Sequence, residues 1–386
     1  MQSGSQPVRI VSVLPVLGHP RDSKRVSMLK EAGFQVSVAA FERDYHQGRL
    51  PDAPVTSLGH ISHGRYLARA LRMLRALPTL RRALRGASVA YASGQDMALF
   101  AMVAAVGLGV PVVLEVGDIR HVQVARGLKG AVARALDRFI VRRASLLVVT
   151  ARGFAEGHYR DRLGSRTPWL LMENKLDEAP LQRALQAAGV SEPRGADGVL
   201  RIGYFGVIRC PWSCEVLREV ARRGRGRIEV VIAGFCMDPS DLPERIAGEP
   251  HVTYRGTYSS PQDLPALYGS VDMVWACYPG PEQQDPDWRW ALRVCRSNRF
   301  YESCFFRRPL ITMAESADGE EVQRLGVGIG LTDQSVEAVW RAVDGITKEH
   351  LEGWRQRMQD LPRSVGVYTD EPARLRAALL DVAGAA

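Results

Sequence analysis

Short apolar runs recur along this chain, and stretches of helical period separate them. Val8–Leu14, Phe34–Ala40, Val112–Val116, Leu146–Thr150 and Trp169–Met172 read as one series of strands. Leu200–Gly206, Ile228–Ile232, Val252–Gly256, Val271–Ala276, Leu310–Met313 and Val327–Leu331 read as a second. Helical periods intervene at Arg21–Gly33, 65–85, 127–143, from Pro211, at Leu264–Gly269, and at Ser335–Ile346, Lys348–Leu361 and Glu371–Val382. A strand, a loop and a helix repeated in this way predict an α/β fold with parallel sheets and right-handed crossovers. Polar residues 178–199, with Pro180 and Pro193, break the series and read as a linker that includes a short helix. The chain therefore divides into a first domain over 1–177, a second over 200–365, and a terminal helix over 366–386.

Met97–Leu114 is uncharged and of membrane-spanning length, but Gly107, Gly109 and Pro111 split it into a helix, a turn and a strand. No secretory leader is legible before Val8, so a cytoplasmic location is expected. The apolar fraction of 46% and charged fraction of 24% are ordinary for a globular protein. All six cysteines lie between Cys210 and Cys304 without zinc-type pairing, which suits buried, reduced thiols.

Charge changes the picture more. Residues 1–177 hold 26 Lys and Arg against 13 Asp and Glu, a net +13, while the remainder holds 25 against 29. No acid stands between Asp52 and Asp96, but seven arginines do. Arg65, Arg69, Arg72 and Arg75 share one helical face; Leu67, Leu71, Leu74 and Leu77 share the other. Lys129, Arg134, Arg138, Arg142 and Arg143 follow in 127–143. Such stretches fit an anionic membrane surface, and they equally fit a solvated helix face. Aromatic residues are sparse there and no nucleic-acid motif is present, so no nucleic acid is expected.

The candidate chemistry centres on 297–311. Asn298 starts a helix, Arg299 stands at its N-terminus, Glu302 follows one turn on, and Pro309 opens a strand. A helix N-terminus beside an arginine suits a phosphate, and a carboxylate one turn further can accept from ribose hydroxyls. A capped surface helix carries the same residues. Gly206 and Arg209 form a second turn where backbone and guanidinium can approach an anion. Glu115, Asp118 and His121 end a central strand, where parallel sheets bind ligands; Asp118 follows Gly117 and is the favoured group to orient or deprotonate a hydroxyl. A helix cap is the other reading of Asp118. His19 and Arg21 follow the first strand in a comparable place, or form a solvated turn. A G-x-G-x-x-G fingerprint is missing from that loop, which argues against a nicotinamide enzyme. Asp285-Pro286-Asp287 is formally a D-x-D, but it lies in a proline-rich loop and no metal is expected; Trp288 and Trp290 read as packing residues.

The pattern Asn-basic-x-x-Glu, followed by an aromatic or small run and Pro-Leu-Ile, resembles the nucleotide-sugar-binding segment of GT-B glycosyltransferases, family 4 in particular. The resemblance covers most of the chain and is most specific over 200–313. It implies two Rossmann-like domains facing a cleft, with the terminal helix packing back on the first. It implies a nucleotide-sugar donor held by Gly206, Arg209, Asn298, Arg299 and Glu302, with Phe235 near the base and Tyr278 elsewhere along the donor. It implies an acceptor near Asp118 and His121, with His19 and Arg21 on the acceptor side. It further implies retention of anomeric configuration, no metal or other cofactor, and an acceptor such as a lipid-linked glycan. A soluble small-molecule acceptor and a non-catalytic binding protein are the alternatives. Many relatives carry a further glutamate for the donor sugar where this chain has Val294.

Overall fold

The computed structural model describes residues 7–42, 50–61, 66–188, 198–278, 290 and 293–385. It divides into two units, residues 1–174 with 369–386, and residues 175–368. In the first unit β1 (Arg9–Leu14), α1 (Pro20–Glu31), β2 (Gln35–Glu42), β3 (Val55–His60) and α2 (Tyr66–Leu84) come first. Then come β4 (Val89–Ser93), α3 (Gln95–Ala104), β5 (Val112–Val116), α4 (His121–Val124), α5 (Leu128–Arg143), β6 (Leu146–Val149) and β7 (Trp169–Leu171), with a π-helical segment at Phe154–Arg162. The strands form one parallel sheet in the order β3-β2-β1-β4-β5-β6-β7. Every residue of β4, β5 and β6 is buried, as expected of strands covered on both faces. The strand order reverses between β1 and β4, and His19, Arg21 on the first turn of α1, and Gly94 lie at that point.

The second unit opens with α6 (Glu178–Ala188), inside the stretch read as a linker. There follow β8 (Leu200–Phe205), α7 (Pro211–Gly224), β9 (Ile228–Ala233), α8 (Leu242–Arg245), β10 (Val252–Tyr254), α9 (Leu264–Gly269) and β11 (Met273–Ala276). Next come α10 (Asn298–Phe306), β12 (Leu310–Met313), α11 (Ala317–Leu325), β13 (Gly328–Leu331), α12 (Val336–Asp344) and α13 (Lys348–Gln359). Its parallel sheet runs β10-β9-β8-β11-β12-β13, and the order reverses between β8 and β11. Trp275, Tyr204, Leu217 and Val230 lie in its core.

The terminal helix, Glu371–Gly384, belongs to the first unit, where it meets α1 and buries Leu375 and Leu379. Two strands escape the hydrophobic reading. β3 is a half-polar edge strand, and β4 (Val-Ala-Tyr-Ala-Ser) is built mostly of small residues. In α2, Leu71 and Leu74 are more than half exposed, and the core side is Ala76, Leu80 and Leu84. Helical spacing gives a face but does not say which way it turns. Arg65, Asp285 to Asp287 and Trp288 lie outside the described residues. No helix among the described residues is long and apolar enough to cross a membrane.

Candidate functional site

The second unit assembles its site where the strand order reverses, at the carboxyl ends of β8 and β11. Parallel sheets bind ligands at such points. β8 delivers Gly206 and β11 leads to Tyr278. Arg299, on the first turn of α10, reaches back between them. Its Nε donates to the Phe205 carbonyl, and its guanidinium lies 4.9 Å from the Tyr204 ring centre and 4.8 Å from that of Tyr278. A guanidinium held over two aromatic faces keeps its charge while most of its hydration is lost. Its Nη2 is 3.2 Å from where a side chain at position 206 would begin, so the free edge of the fork is directed at the Gly206 turn. Gly234, after β9, packs on the same turn. A Cβ at 234 would stand 1.7 Å from the Gly206 carbonyl oxygen, so no other residue fits.

Glu302 stands one turn along α10 from Arg299 and is almost fully buried. Its Oε2 accepts a 2.6 Å hydrogen bond from the Tyr268 hydroxyl. Burial, then the Glu302 charge, push the Tyr268 phenol well above its ordinary value. The same two causes raise Tyr258, whose hydroxyl lies 3.9 Å from the side-chain position of Gly206. The helix starts at Asn298, as the sequence suggested. Ser297 is the N-cap, its Oγ accepting from Phe300 N, and Asn298 is an exposed first-turn residue. Ser297 N in turn donates to Asp318, at 3.1 and 3.3 Å. Burial pushes the Asp318 carboxyl up to about 6, against the Ser297 hydrogen bond and the charges of Arg296 and Arg299.

Gly206, Arg299, Glu302 and Tyr278 are thus gathered in one place. Arg209 and Phe235 are exposed on the neighbouring turns, which are joined by a hydrogen bond from Ile208 N to the Phe235 carbonyl. Tyr204, Tyr258, Tyr268 and Asp318 were not legible as site residues. Their roles depend on which strands are neighbours, and no local motif marks them.

The first unit places its candidates at the carboxyl ends of β1, β4 and β5. Glu115 is a structural group: it is buried in a two-point ion pair with Arg25 (3.0 and 3.2 Å) and accepts from Tyr91 at 2.6 Å. Burial alone would raise its pKa, but Arg25, with Arg21 and Tyr91, holds it below the usual value. Arg21 lies across Gly117, with Nη1 1.6 Å from the point where a Cβ would sit, so the guanidinium fills the space of the missing side chain. Asp22, buried, faces Arg21 Nε at 3.8 Å and His19 Nδ1 at 3.5 Å, and accepts from Ser93 Oγ at 2.7 Å. His19, Arg21 and Asp22 therefore form one cluster across the β1–β4 reversal. Asp118 is exposed in the loop after β5, and His121 is exposed at the start of α4.

A buried ring of hydrogen bonds holds that loop. Gln123 Oε1 accepts from Arg120 N, and Gln123 Nε2 donates to Asp137. Asp137 also meets His158 and Tyr159; Gln95 donates to Tyr159, and Arg120 closes the circuit onto Gln95. Among the described residues no group of three or more His, Cys, Asp or Glu is placed to hold a metal ion.

Comparison with known proteins now bears on this arrangement. Residues 25–174 match the model of the glycosyl transferase 4-like domain. The chain is 29% identical over 350 residues to the succinoglycan biosynthesis protein ExoL of Rhizobium meliloti (strain 1021), covering 88% of this chain and 85% of that one. Its fold is similar to that of Anabaena Alr3699/HepE in complex with UDP, with a TM-score of 0.68, 13% identity, and coverage of 98% of this chain and 100% of that chain. Sucrose-phosphate synthase from Thermosynechococcus elongatus gives a TM-score of 0.70, again at 13% identity over 98% and 100% of the two chains. Sequence and architecture lead to one conclusion: this chain is a glycosyltransferase with the GT-B fold, similar over residues 25–174 to the glycosyl transferase 4-like domain.

Proposed function

We propose that the chain moves a sugar from a nucleoside-diphosphate donor to an acceptor hydroxyl on a lipid-linked glycan, in exopolysaccharide or capsule assembly. The observation that carries the donor half is Arg299, held between Tyr204 and Tyr278 and aimed at the Gly206 turn. A UDP complex of a protein of similar fold, and a relative named for succinoglycan biosynthesis, support this reading. In transfer, the bond from the anomeric carbon to the diphosphate oxygen breaks. The acceptor oxygen bonds that carbon and its proton leaves. Arg299, Arg209 and the N-terminus of α10 offset the charge on the departing diphosphate, so the step asks for no metal. Glu302 accepts from the ribose, Phe235 lies against the base, and Tyr278 lies along the donor beside Arg299. Asp118 or His121 takes up or steers the acceptor proton, with His19 and Arg21 beside the acceptor. Anomeric retention follows the family resemblance. The basic stretches 65–85 and 127–143 draw the first unit to the inner, anionic membrane surface.

Thermal-shift titration with UDP, GDP, ADP, TDP and CMP tests the donor site. A nucleotide at a hundred times its Kd stabilises the folded state by about 2.7 kcal/mol, which moves the melting temperature by several degrees. One nucleoside diphosphate is expected to do so, and Arg299→Ala and Glu302→Ala to abolish the shift. No shift with any nucleotide refutes the assignment.

A further inference from the structure

α5 turns an apolar stripe outward. Leu128, Val132, Leu136 and Phe139 are 81%, 61%, 47% and 45% exposed. Their spacing places them within an arc of about 80° along about 16 Å of helix. Ala131 and Ala135 beside them are exposed too, while Gly130, Asp137, Ile140 and Val141 form the inward face. Exposed cations bracket the stripe, Lys129 at one end and Arg142 and Arg143 at the other; Arg143 lies 4.3 Å from the Phe139 ring centre. Arg134 and Arg138 are occupied elsewhere, donating to the carbonyls of Ala125 and Leu163.

The stripe is part of a layer. α2, α3 and α5 connect β3 to β4, β4 to β5 and β5 to β6, all in the same direction across the sheet. Right-handed crossovers put all three on one face, opposite α1. α3 touches both α2 and α5. The same layer exposes Leu71 and Leu74 from α2 and Val103 from α3, with Arg75 and Arg82 among them. Its acids are spent within the unit. α2 has none, Asp96 of α3 is paired with Arg69 and Arg120, and Asp137 of α5 is buried against Gln123 and His158.

We infer that this layer, led by the α5 stripe, beds its apolar side chains into the headgroup–acyl boundary of an anionic bilayer. The inference rests on the proposed membrane contact and changes its character. Cations alone give an attraction that salt screens. Leucine, valine and phenylalanine among cations, with no unpaired exposed acid, match the interface plane of a bilayer, where apolar side chains sink between acyl chains and cations stay at the headgroups. The contact then outlasts screening of the charges.

Flotation with vesicles of equal parts phosphatidylglycerol and phosphatidylcholine tests it, at ~0.1 M and ~1 M salt, where the Debye length falls from about 10 Å to about 3 Å. The wild-type chain is expected to float at both. Leu128→Glu/Val132→Glu is expected to float only at ~0.1 M, with at least a tenfold loss of partitioning at ~1 M. Lys129→Ala/Arg142→Ala/Arg143→Ala is expected to weaken flotation at low salt and leave the high-salt fraction unchanged. Leu128→Ser/Val132→Ser, read in the same way, serves if the glutamate variant does not fold. Release of the wild type at ~1 M leaves the charge contact standing and overturns the insertion. No flotation at either salt overturns both. A lipid-free dimer that Leu128→Glu/Val132→Glu dissolves also overturns the insertion, because the stripe would then be an interface between copies.

Discussion

Arg299 shows how one residue gains a role from its surroundings. Its chemistry was legible, because an arginine at a helix start beside a carboxylate one turn on is a local pattern. Its confinement between Tyr204 and Tyr278 was not, because Tyr204 lies in β8 and Tyr278 just past β11, two strands far apart in sequence that the sheet order makes neighbours. Asp318 was hidden for the same reason, and it makes the site sensitive to pH. Its folded-state pKa of about 6 lies above the ordinary aspartate value of 3.8. The native chain therefore binds the proton more tightly than the unfolded chain, and stability falls as pH rises from about 4 to about 6. The full loss, ~3 kcal/mol, is present above that window. Asp318→Asn cannot ionise and is expected to flatten this part of the profile. Urea denaturation of both proteins at pH 4 and pH 7 checks it. An equal pH dependence in the two would refute the assignment.

At the level of elements, strand and helix order could be read wherever apolar runs were continuous. β5, β6, β9 and β11 are such runs, buried at nearly every position. β4 was missed because alanine and serine carry little hydrophobic signal, and helical spacing alone left open which face of α2 turns outward. The loop after β5 was read for Asp118, but its rigidity comes from Gln123, which joins Arg120 to Asp137 across α4 and α5. Gln123→Ala removes both bonds. Displacement of a reacting group by about 1 Å costs on the order of a hundredfold. The variant is expected to lose roughly ten- to a hundredfold in the rate of sugar transfer while its nucleotide-induced melting shift stays as in the wild type. Steady-state kinetics with the thermal shift beside them measures this, and an unchanged turnover number would free the loop from the ring.

At the scale of the whole molecule, the charge asymmetry and the two-sheet plan were both visible in the sequence. The domain limits need one restatement: the second unit begins at Lys175, and residues 369–386 belong to the first. Leu375 and Leu379 are fully buried there, and Arg376 lies 5.9 Å from the Phe34 ring centre. Truncating two buried leucines costs ~2–5 kcal/mol each. A fragment of residues 1–174 is expected to be partly unfolded, and to regain its melting transition when a peptide of residues 369–386 is added. A fragment that melts cooperatively by itself, with no response to the peptide, would show the helix to be an ornament.

This return of the terminal helix also sets an order of events during synthesis. The unit that starts to emerge first is completed after the other, since its closing helix follows residue 368, while residues 175–368 can fold as soon as they emerge. A chain cut short at residue 368 would thus hold a finished second unit and an open first one.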